Sequence, residues 1–173
     1  MEKIIEEKVK NYLDEKKGKD ERQCNLIFHN VPESKSGDTD VRKEEDQTQV
    51  HRILQHLDVQ ISPSDIEQAV RLGKKTDGQE RPRLLKIKLS RVEPKKQTLS
   101  RAKKLKDSKN ECYNSVFISP DLTFQEREEN RRLRNDLKAR RDNGEENIII
   151  RNGKIVKVSQ SFRTQYTTNG AGS

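Results

Sequence analysis

Asn25-Leu26-Ile27-Phe28-His29-Asn30-Val31 is where the hydrophobic period of the chain drops to two, and its reading decides the fold. Alternation puts Leu26 and Phe28 on one face of a strand and Ile27 and His29 on the other, before Pro32 ends it. A second run, Leu85, Ile87 and Leu89 alternating with Lys86 and Lys88, is the clearest strand in the chain. Between them residues 33–46 are polar and acidic, contain Gly37, show no period and predict a loop. From Asp46 a helix is expected on the stripe Val50, Ile53, Leu54 and Leu57, broken at Ile61-Ser62-Pro63-Ser64. Ile66 to Leu72 predicts another strand, and Gly73 to Glu80 a hairpin-like loop leading into the Lys86 strand. Pro94 then opens a second helix carrying Leu99, Ala102 and Leu105. Val116-Phe117-Ile118 is a short fourth strand.

The order is β-α-β-β-α-β over residues 24–119, an α+β, ferredoxin-like pattern. Each helix is expected to lie on one face of a four-stranded antiparallel sheet, leaving the other face open. Before it, residues 1–23 predict a charged helix, with Ile5, Val9 and Tyr12 at spacings of four and three. Two heptads do not hold a coiled coil, so this helix is either the end of a longer one or a solvated appendage. After it, residues 120–158 predict a helix and a hairpin. Thr123 and Glu126 have capping-box spacing, the helix runs from Phe124 to about Arg141, and Asn143-Gly144 closes it. Asn147 to Arg151 and Lys154 to Val158 flank Asn152-Gly153, a pair suited to a type I′ turn. Residues 159–173 are polar, end in Gly-Ala-Gly-Ser and predict a flexible tail.

Only 28% of the 173 residues are hydrophobic and 38% are charged, with no Trp, which predicts one modest core and solvated extensions. The net charge of +8 is unevenly placed. Residues 1–70 hold 11 basic and 16 acidic residues, residues 71–109 hold 15 and 4, and residues 110–173 hold 11 and 9. A concentrated central excess points to a polyanionic partner, although a solubilising surface is the bland alternative. No apolar run is long enough to span a membrane, and the N-terminus has no signal-peptide core. Cys24 and Cys112 make no disulfide framework and are expected unpaired, in a reducing intracellular compartment. The histidines (His29, His51 and His56) form no nucleophilic or zinc-binding spacing, so neither catalysis nor a cofactor or small-molecule substrate is expected.

An open sheet face of this topology is the platform on which RNA-recognition motifs stack bases. Here Ile27 stands at the usual stacking position and Phe28 points to the core, so His29 is the one planar group expected on that face. Lys86 and Lys88 are expected to meet phosphates there instead, unless the face is merely solvated. On the C-terminal helix Arg127, Arg131, Arg134, Lys138 and Arg141 step by four, three, four and three and share one face. Glu128, Glu129 and Asp136 are expected to lie off that stripe, and Leu133 and Leu137 to dock the helix. Intrahelical salt bridges are the competing reading.

Several short motifs together resemble a known family. They are Asn25 to Glu33, Arg71-Leu72-Gly73, Arg81 to Leu89, Asp121-Leu122-Thr123 and Ile150 to Ile155. This pattern is similar to the first-open-reading-frame protein of LINE-type non-LTR retrotransposons. The resemblance implies an atypical RNA-recognition motif, a coiled coil that makes homo-oligomers, RNA packaging and nucleic-acid chaperone activity in a cytoplasmic or nuclear ribonucleoprotein. It implies RNA contacts for Arg83, Lys86 and Lys88 and for the basic residues after Asp121-Leu122-Thr123. The expected partner is single-stranded RNA, with single-stranded DNA as the alternative. The rival expectation is a scaffolding protein that assembles through its helices.

Overall fold

Five α-helices and six strands are present among the described residues, which are 2–76, 78, 81–108 and 111–158 of a computed structural model. The expected tail, residues 159–173, lies outside them. The helices are α1 (Glu2–Glu21), α2 (Thr39–His56), α3 (Val92–Arg101), α4 (Glu111–Asn114) and α5 (Phe124–Asp142). The strands are β1 (Asn25–His29), β2 (Ile66–Arg71), β3 (Leu85–Leu89), β4 (Phe117–Pro120), β5 (Ile148–Arg151) and β6 (Lys154–Lys157). The chain divides into two compact units, one through Asp121 and one from Leu122.

In the first unit four strands form one antiparallel sheet in the order β2-β3-β1-β4. The two-residue period does the sorting. Leu26, Phe28, Leu85, Ile87, Leu89 and Ile118 point to one face and are buried there with Val50, Ile53, Leu54 and Leu57 of α2. Leu105, in the 3-10 turn that continues α3, joins the same core, with Leu99 and Ala102 partly buried against it. Burying each such side chain stabilises the fold by about 1.5–3 kcal/mol. Thr98 is also fully buried on α3, which its polarity hid in the sequence. Its hydroxyl donates to the carbonyl of Pro94 at 2.7 Å, so no polar hydrogen is stranded.

Two expectations about this unit need correction. Helix α2 starts at Thr39, two turns before Asp46, because Asp38 caps it by accepting from the backbone N–H of Asp40 and of Val41. Those first turns touch no core, so no apolar stripe announced them. The four-residue helix α4, before β4, was also unforeseen.

The second unit carries its expected local signals. Thr123 and Glu126 close a reciprocal capping box at the start of α5. Asn143 caps the other end and Gly144 follows at φ +89°. β5 and β6 pair antiparallel across Asn152 and Gly153, whose φ angles of 50° and 70° suit the type I′ turn.

Candidate nucleic-acid interface

Three cross-strand rows, read from the register, make up the sheet face opposite the helices. At one end Gln68, Lys88 and Asn25 align; in the middle Val70, Lys86, Ile27 and Ser119 align. At the other end His29 pairs with Phe117. Leu84, the residue before β3, accepts at its carbonyl from the N–H of Leu72, the residue after β2, at 2.8 Å. The basic residues expected on this face are therefore there, but their surroundings differ.

Lys88 is tied to Glu67 at 2.8 Å, and that hydrogen bond raises its pKa. Lys86 makes no ion pair among the described residues and is half-buried. Arg83 is not on the face as a free cation. Its Nε and Nη2 grip both carboxylate oxygens of Glu33, Nη2 at 2.7 Å, and Nη1 donates to the carbonyl of Gly73 at 3.1 Å. Its side chain is 15% exposed. Hydrogen bonds from Arg83 hold the Glu33 carboxyl down to about 2, against an ordinary 4.5. Arg83 thus braces the segment after β1 against the entry to β3, a structural job that its sequence neighbours do not reveal.

Next to it sits a pair that sequence reading missed. Arg71 donates from Nε and Nη2 to Asp46, and from Nη1 and Nη2 to the carbonyls of Val31, Pro32 and Arg83. All five guanidinium N–H groups are used, which is what a buried arginine requires. At the opposite end Asn25 donates to Asp121 at 2.9 Å, and Asp121 also faces Arg22 at 3.7 Å. So the motif residues Asn25, Glu33, Arg71, Gly73, Arg83 and Asp121 form two clasps that close the ends of the sheet.

The expected role of His29 as the one planar group on the face is overturned by Phe117. The two ring centroids lie 5.1 Å apart at 56°, and Phe117 is 56% exposed. His29 Nε2 is 3.0 Å from Ser119 Oγ, which fixes the imidazole, and burial lowers its pKa from the ordinary value. The signal was present: Val116 and Ile118 are buried, so alternation alone puts Phe117 and Ser119 on the opposite face.

On α5 the five stripe residues, Arg127, Arg131, Arg134, Lys138 and Arg141, are all exposed. Arg131, however, bonds Glu128 at 2.6 Å, so one acid does reach the stripe. Arg141 donates to the carbonyl of Ile148 at 2.8 Å and ties the helix to its hairpin. Arg127, Arg134 and Lys138 make no ion pair among the described residues. At 100° and 1.5 Å per residue these three fall within about 40° of one another and span about 16 Å of helix axis. Leu133 and Leu137 are half-buried, and buried Ile148 lies on the hairpin.

Other groups are dispersed. The central basic excess is split by the fold, because Lys96, Lys104 and Lys106 belong to α3 and its extension, on the helix side of the sheet. His51 approaches the carbonyl of Ile61 and His56 packs on Tyr113, so the three histidines have separate neighbours. Cys24 and Cys112 take part in no disulfide. Among the described residues no helix is long and apolar enough to cross a membrane, and no three His, Cys, Asp or Glu side chains are grouped as metal ligands. Neither the protein-family models nor the curated proteins compared with this chain give a match.

Proposed function

We propose that this chain is a non-enzymatic, sequence-tolerant binder of single-stranded nucleic acid, RNA first, with an RNA-recognition-like sheet unit and a basic helix–hairpin unit. The observation that carries the reading is the file of Arg127, Arg134 and Lys138 on α5, exposed and without acidic partners among the described residues. Cations spaced 6–10 Å apart along about 16 Å of helix suit the phosphates of a strand, and release of their counterions supplies the affinity. The strand order β2-β3-β1-β4, with helices on one face, supports the RNA-recognition-like reading of the first unit. The motif resemblance to LINE-type first-open-reading-frame proteins extends the proposal to RNA packaging and chaperone activity in a cytoplasmic or nuclear ribonucleoprotein. The test is a titration of the chain against single-stranded RNA, single-stranded DNA and duplex at two salt concentrations. Tight binding of single strands that weakens with salt supports the proposal.

One observation favours the rival, a scaffold that assembles through its helices. Ile4, Ile5, Val9, Tyr12 and Leu13 are each more than half exposed on α1. No binding to any nucleic acid at low salt decides for the scaffold.

A further inference from the structure

We infer that Phe117 and His29 form a stacking site for a nucleobase of a single strand, with Lys86 placed for the phosphate beside it. The inference rests on the nucleic-acid reading above and adds to it a contact that does not depend on charge. Phe117 is the most exposed large apolar side chain of the four-stranded sheet, and it pairs across the strands with His29. Leu72, just after β2, and Leu84, just before β3, are 36% and 39% exposed and add apolar surface at the ends of those two strands.

Three features choose a base over a protein side chain as the occupant. The planar rings of the aromatic pair offer the π-faces on which any base can stack. The His29 ring is pinned by Ser119 at 3.0 Å, and burial disfavours its charged form, so it is ready to stack without reorganising. The charge on this face is also complementary to a strand. Lys86 lies diagonal to His29, about 8 Å away by strand spacing, and makes no ion pair among the described residues. The nearby acids are occupied, Glu67 by Lys88 and Asp121 by Asn25 and Arg22. The Arg71–Asp46 and Arg83–Glu33 pairs fix the chain on the β1, β2 and β3 side of the same end.

The test compares two single strands of about twelve nucleotides, one with bases and one abasic throughout, on the unmodified chain and on two variants. The inference expects the base-bearing strand to bind roughly 5- to 160-fold more tightly than the abasic one, the range for stacking of one base. Phe117→Leu, which keeps an apolar side chain but loses the ring, should erase that preference, and Phe117→Trp should keep it. Because Phe117 is mostly exposed, both variants should unfold at the temperature of the parent. Equal binding of the two strands by the unmodified chain overturns the stacking site and leaves phosphate binding in place. A preference that survives in Phe117→Leu also overturns it. Failure to bind either strand at low salt overturns both readings together.

Discussion

Asp46 of α2 and Arg71 of β2 lie 2.6 Å apart, carboxylate to guanidinium, with both side chains more than nine-tenths buried. The pair ties the helix layer to the sheet. Removing one partner leaves the other as an uncompensated buried charge, which typically costs about 3–5 kcal/mol. Asp46→Ala and Arg71→Ala should each lower stability by about that much in urea unfolding. A change below about 0.5 kcal/mol in either would mean the pair is not buried as described.

Glu33 supplies a pH signature. Its folded carboxyl titrates at about 2 because Arg83 bonds the charged form, while the unfolded group titrates near its ordinary 4.5. Its contribution is therefore complete above about pH 5 and is lost as pH falls toward 2. Stability measured by urea unfolding across that window should decline, and Glu33→Gln should flatten part of the decline. An unchanged acid profile in the variant contradicts the bidentate Arg83–Glu33 pair.

Arg83 and Lys86 should separate cleanly. Arg83→Ala strands Glu33 and frees the Gly73 carbonyl, so it should cost about 1–3 kcal/mol of stability. Lys86→Ala should leave stability within about 0.5 kcal/mol and weaken single-strand binding instead. Reversed effects would reassign both residues.

That contrast marks how far the sequence could be read. Strands β1 and β3 were legible because Leu26, Phe28, Leu85, Ile87 and Leu89 alternate strictly, and α5 because its caps are local. Arg83 and Lys86 look alike in sequence. They differ only because Glu33, fifty residues away, folds onto one of them. Arg71 and Asp46 likewise meet across 25 residues that no local pattern links. The start of α2 escaped notice because its first turns are solvated. Phe117 was legible by its alternation with the apolar Val116 and Ile118, but its place beside His29 depends on the pairing of β1 with β4.

Assembly is predicted to be weak. Ile5, Val9 and Tyr12 span two turns of α1, too short a seam to offset the ordering of paired helices. Sedimentation equilibrium of residues 1–173 should show mainly monomer at micromolar concentration. A stable trimer would contradict this and favour the scaffold.

The central claim, that phosphates meet the cationic file of α5, is tested most directly by the salt dependence of single-stranded RNA binding. With most of the seven cations expected from the sequence engaged, the slope of log K against log salt would be about −3 to −5, at about 0.7 per phosphate. With Lys88, Arg131 and Arg141 already bonded within the protein, four remain, Lys86, Arg127, Arg134 and Lys138, and the slope should be roughly −3. Replacing Arg127, Arg134 and Lys138 together by Ala should bring it to about −1, with the unfolding midpoint unchanged. A triple variant that keeps the parental slope and affinity would contradict the account.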